Sequence, residues 1–183
     1  MDISNHNAAF LEHLKRFRSA WRRGLVLALI LRLAGWIFTV VAFYFVADFF
    51  LALDETVRGW LNILSPLGLA VAAAPEAVRI ARLGLAEAAQ RTDQIGKHRR
   101  KDVLTAWELL GSSTQDAALP AFLAQRSIGD AVARLAGMDP DAVRPHDLLA
   151  RRGRLLGIQA LIALAVIWSC GTEAFLTIGP RLL

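Results

Sequence analysis

The sequence predicts an all-α, membrane-embedded fold, with three transmembrane helices and a small helical cytosolic insert between the second and third. Three observations carry this. Apolar runs occupy residues 24–53, 57–74 and 155–178, each near or above the roughly 20 helical residues that cross a hydrocarbon core about 30 Å thick. Hydrophobic residues make up 55% of the 183, above the usual share of about 45–50%, and the excess is concentrated in those runs. The basic residues behind the net charge of +5 flank the runs: Lys15, Arg16, Arg18, Arg22 and Arg23 before the first, and Arg151, Arg152 and Arg154 before the third. Cytoplasmic flanks of membrane helices carry such an excess, so the pI near 10.3 is read as topology in preference to nucleic-acid binding. Attraction to anionic lipid headgroups comes with it.

Residues 1–23 form a basic amphipathic N-terminal helix. Phe10, Leu11, Leu14, Phe17 and Trp21 recur at three- and four-residue steps with the basic residues on other faces. Such a helix either lies in the inner headgroup layer or extends the first membrane helix into the cytosol. The polar lead and the long apolar run that follows do not fit a cleaved signal peptide, so the run reads as a retained signal anchor.

Residues 24–74 form a transmembrane hairpin. Its first helix holds Arg32 and Asp48, 16 residues or about 24 Å apart along the axis. They are placed as interfacial charges that snorkel to the inner and outer surfaces respectively. Residues 54–59 form the tight turn. The second span starts near Trp60 and contains Asn62, Ser65 and Pro66, so a bend is expected. Its small residues 68–74 are expected to pack on the first helix, with Pro75-Glu76 as the exit.

Residues 75–154 carry 13 Lys/Arg against 10 Asp/Glu and a helical periodicity. Helices are expected at 76–94 (Val78, Ala81, Leu85, Ala88 and Ala89 inward), at 102–110 with Asp102 as N-cap and Gly111 as stop, and at 120–137 (Phe122, Leu123, Ile128, Val132 and Leu135 inward). Residues 138–141 form a turn. From His146 the chain runs without a break into the third span at 155–178, followed by an extracytoplasmic tail at 179–183. The positive-inside rule places the N-terminus and insert in the cytoplasm, and the first turn and C-terminus outside a bacterial inner membrane.

Within Arg91 to Leu110 an acid–basic run is followed by D-x-L-x-A-x-E-L, here Asp102, Leu104, Ala106, Glu108 and Leu109. This stretch, and the layout around it, resembles the N-terminal membrane region of large uncharacterised bacterial envelope proteins, a domain of unknown function. Their genes often lie beside those for MoxR-type ATPases and von Willebrand-factor-A-like proteins. The resemblance implies a role in envelope assembly or stress and carries no catalytic residues. The chain departs from that layout by ending where the family's outer region begins.

Candidate chemistry is sparse. His6, His13, His98 and His146 lack a tight ligand spacing, and Cys170, the single cysteine, lies in the third apolar run. No metal or cofactor is expected. No glycine-rich phosphate loop, serine elbow or carboxylate pair appears, so an enzyme is not expected. The densest basic run supplies Lys97, Arg99, Arg100 and Lys101 as candidates for anionic lipid or a partner. Glu108 is a candidate partner contact. The function expected is a non-enzymatic anchor or scaffold that holds other membrane or membrane-associated proteins at the bilayer. Alternatives are an accessory subunit of a larger energy-transducing or transport complex, and a regulator that binds anionic lipid or nucleic acid through residues 97–101.

Overall fold

The computed structural model describes residues 3–95, 102–112 and 121–169. These form six α-helices and one 3₁₀ turn: α1 (Ile3–Leu51), α2 (Glu55–Ala81), α3 (Leu85–Ile95), α4 (Asp102–Ser112), α5 (Ala121–Gly137), the turn Pro140–Val143, and α6 (His146–Ser169). No strand occurs among the described residues. Three of the helices, α1, α2 and α6, are long and apolar enough to cross a membrane. The chain divides into two compact units: Met1–Leu25 with Ile80–Pro145, and Val26–Arg79 with His146–Leu183.

The first unit has a conventional core. Phe10, Leu14 and Phe17 of α1 are fully buried against Ala88 and Ala89 of α3, Val103 and Ala106 of α4, Ile128, Ala131 and Leu135 of α5, and Val143. The N-terminal apolar stripe is thus covered by protein, and α1 runs on unbroken to Leu51. Trp21 and Trp107 pack at the margin of this core. The expected helix over 76–94 is two helices. α2 ends at Ala81, residues 82–84 turn, and α3 starts at Leu85. The Gly84 amide donates to Glu87 Oε2 at 3.4 Å, the reach-back half of a capping box. Ala81 and Val78 are exposed, and Ile80 and Leu83 are buried instead. Leu123, expected inward, is 45% exposed, and Ala131 occupies the inward stripe with Ile128 and Leu135. Phe122 lies outside the described side chains. α4 passes through Gly111 to Ser112. Before the turn Pro140–Val143, Asp139 caps by accepting from the Asp141 amide at 2.9 Å. α1 approaches the following segment closely: a Cβ on Gly24 would stand 2.6 Å from Pro145 Cδ.

The second unit is built from the remainder of α1, α2 up to Arg79, and α6. Only three residues, 52–54, join α1 to α2, and residues 55–59 already belong to the second helix. Ala52 takes a left-handed conformation (φ 43°), and its amide donates to Asp48 O at 3.1 Å, a helix C-terminal closure that more often uses glycine. α2 continues through both Pro66 and Pro75, so Pro75-Glu76 is not its exit. The carbonyls of Asn62 and Val71, four residues earlier, lose their usual helical donors. The small-residue stretch does not pack as expected: Gly68 has open space around its Cβ position, and Ala70, Ala72 and Ala74 are exposed. α1 and α2 meet instead through their charged side chains. The end of the third span beyond Ser169, Cys170 and the tail lie outside the described residues.

Candidate functional site

The polar groups of the second unit are arranged in layers. Glu76 of α2 takes one guanidinium on each carboxylate oxygen: Arg32 Nη1 of α1 donates to Oε2 at 2.9 Å, and Arg152 Nη2 of α6 donates to Oε1 at 2.7 Å. At the other end of the α1–α2 hairpin, Asp48 Oδ1 accepts from Arg58 Nε at 2.9 Å and Nη2 at 2.6 Å. The Asp48 side chain is 4% exposed and that of Arg58 20%. Between the layers, Gln159 Nε2 of α6 donates to Thr39 Oγ1 of α1 at 3.1 Å, and the Thr39 hydroxyl donates to Gly35 O at 3.1 Å. Gly35 is buried, and a Cβ there would collide with Gln159 Oε1.

These contacts fix helix directions. Along α1 from residue 32 to 48, partners on α2 run backward from 76 to 58, so the two are antiparallel. Arg32 and Arg152 meet at the same Glu76 carboxylate, and seven residues further along each helix Gln159 meets Thr39, so α1 and α6 are parallel. The step is seven residues on each, two helical turns, which returns both contacts to one face.

Arg32 and Asp48 therefore each have a partner on a neighbouring helix. Sequence reading singled out neither Glu76 nor Arg152 as a pairing residue, and it passed over Gln159. Gln159 carries a signal: it is the one amide or charged side chain between Leu155 and Trp168, and a polar group in such a run needs a partner. A cleft of about 430 Å³ opens beside the charged layer, lined by Arg32, Arg151, Arg152 and Gln159 with the apolar Trp36 and Leu155.

In the first unit the main polar device is Asp93. It is 9% exposed, and its two oxygens accept from the amides of Val103 (3.1 Å) and Leu104 (3.0 Å) at the start of α4. Two otherwise orphaned donors are thereby satisfied. The carboxylate of Asp102, expected as the cap, is engaged by Arg134 of α5. Thr92 is buried and returns its hydroxyl to Ala88 O at 2.8 Å. Glu108 is exposed on α4. Lys97, Arg99, Arg100, Lys101 and His98 lie outside the described residues. No group of three or more His, Cys, Asp or Glu side chains that could hold a metal occurs among the described residues. No protein-family model, curated protein or solved structure matches the chain.

Proposed function

We propose that the protein is a non-enzymatic anchor or scaffold of a bacterial inner membrane. Its second unit would lie in the bilayer and its first unit in the cytosol, available to partner proteins. The observation that carries this reading is where exposed apolar surface falls. Of the large hydrophobic side chains that are exposed among the described residues, all but Leu123 belong to the second unit, from Val26 to Trp168. Contiguous exposed apolar surface on that scale marks a membrane or an interface. The first unit buries its large apolar side chains in a core of its own, as a domain in water must. The charged layers agree: Arg32 and Asp48 are about 24 Å apart along α1, close to the thickness of the hydrocarbon core. The apolar belt between them is bridged by a neutral amide–hydroxyl bond.

Two measurements test it. In native membranes the chain should resist alkaline carbonate extraction and require detergent for release. A photo-crosslinking amino acid at the exposed Glu108 position should then give an adduct of defined mass with a soluble protein in intact cells. Release by carbonate rejects the membrane assignment. Adducts confined to probes on α2 and α6, with none from α4 or α5, reject the scaffold in favour of an accessory subunit within a larger complex.

A further inference from the structure

The charged layer around Glu76 is not neutral. Arg32 and Arg152 each occupy one oxygen of the single carboxylate, and Arg151 lines the cleft that both arginines also line, so three guanidinium groups stand against one ion-paired carboxylate and two positive charges are left over. Arg152 is held by its Nη2 contact to Glu76, and its Nη1 is buried without a hydrogen-bond partner. That nitrogen is enclosed by protein, while the Arg152 side chain as a whole, 17% exposed, lines a cleft of about 430 Å³. The remaining walls are apolar: Leu31, Trp36, Leu148 and Leu155. Positive donors set among apolar walls match a molecule with an anionic oxygen cluster attached to an apolar chain.

We infer that this cleft binds the phosphate of an anionic glycerophospholipid, with Arg151 and Arg152 as its principal donors and an acyl chain along Trp36 and Leu155. A guanidinium presents paired N–H groups that fit phosphate oxygens, and basic pockets between membrane helices on the cytoplasmic side take such headgroups. Glu76 acts as a positioning residue: its ion pair with Arg152 sets the direction of that guanidinium at the cleft wall. The excess charge selects lipid type. A phosphatidylglycerol headgroup brings a net negative charge to the two uncompensated guanidinium groups, whereas phosphatidylcholine adds a quaternary ammonium beside them. This site differs from the basic run at 97–101 and rests on the membrane reading above.

The test uses the full chain, purified in a neutral detergent and offered equal amounts of phosphatidylglycerol and phosphatidylcholine, with bound lipid read by native mass spectrometry. One phosphatidylglycerol should be retained in preference to phosphatidylcholine. Arg151→Gln, which leaves the Glu76 ion pairs intact, should weaken retention about fivefold, the equivalent of about 1 kcal/mol per basic group. Adding Arg152→Gln should weaken it further, and Arg154→Gln should leave it unchanged. Equal retention of the two lipids, or equal loss in the Arg151 and Arg154 variants, overturns the site. Displacement of the lipid by inorganic phosphate overturns the assignment to lipid and makes free phosphate the ligand. A chain that carbonate strips from membranes brings down both the membrane reading and this site. A chain that stays embedded without lipid preference brings down the site alone.

Discussion

The side chain of Asp48 is almost fully enclosed, and Arg58 answers it from the next helix. Removing one member of a buried ion pair leaves a charge that neither water nor protein compensates. Arg58→Met should therefore destabilise the chain by about 3–5 kcal/mol, measured by reversible unfolding in mixed micelles. Asp48→Asn combined with Arg58→Gln should recover most of that loss; a double variant no better than the single would show that the pair is not what holds this end. Asp93 sets a second, independent test. Its carboxylate caps two amides of α4, so Asp93→Ala should cost about 1–2 kcal/mol. Hydrogen exchange should quicken at Val103 and Leu104 before it does at Ile128 or Ala131. Asp93→Asn keeps one acceptor oxygen and should lose less. Unchanged exchange at 103 and 104 in the alanine variant would remove Asp93 from this role. Neither partner choice was legible in the sequence. Which basic group meets Asp48, and which carboxylate caps α4 from ten residues upstream, depends on how helices are rotated, and residue spacing within one helix does not encode that.

Helices themselves were far more legible, and the misses have a physical pattern. The spacing of Ile128, Val132 and Leu135 drew α5 nearly to its observed bounds, and the unbroken run from His146 drew the start of α6. The break at 82–84 was missed because Val78, Ala81, Leu85 and Ala88 keep a helical rhythm straight through it. Gly84 followed three residues later by Glu87 was the available sign. Small residues misled at 68–74, where they permit close packing without requiring it. The close approaches lie at Gly24 and Gly35, and the two make a contrasting pair. An alanine normally gains about 0.5–1 kcal/mol over glycine inside a helix. At Gly24 the obstacle is the ring of Pro145, which is buried and cannot rotate away, so Gly24→Ala should lose about 1–3 kcal/mol as overpacking. At Gly35 the obstacle is the end of the Gln159 side chain, which can swing aside at the cost of its bond to Thr39. Gly35→Ala should thus stay within about 1 kcal/mol of the parent, one net hydrogen bond against one helical preference. Thermal melts of the two variants in detergent give the comparison. A Gly24 variant as stable as the Gly35 variant would mean that α1 does not lie so near Pro145.

Across the whole molecule, α1 runs antiparallel to α2 and parallel to α6 within the second unit, as three successive crossings would. On the membrane reading this places the start of α1 and the end of α6 on opposite faces. A phosphatase reporter that is active only outside the cytoplasm should be silent when fused to Met1 and active when fused after Leu183. Activity at both ends, or at neither, would contradict three crossings. The core of the first unit bears on how the chain is made. Phe10, Leu14 and Phe17 leave the ribosome more than a hundred residues ahead of Ile128, Leu135 and Val143, which complete their shelter. At about 5–20 residues per second that delay is on the order of ten seconds. For that interval the stripe on α1 lacks the helices that complete its cover, and the growing chain exposes apolar surface until the rest of its domain emerges.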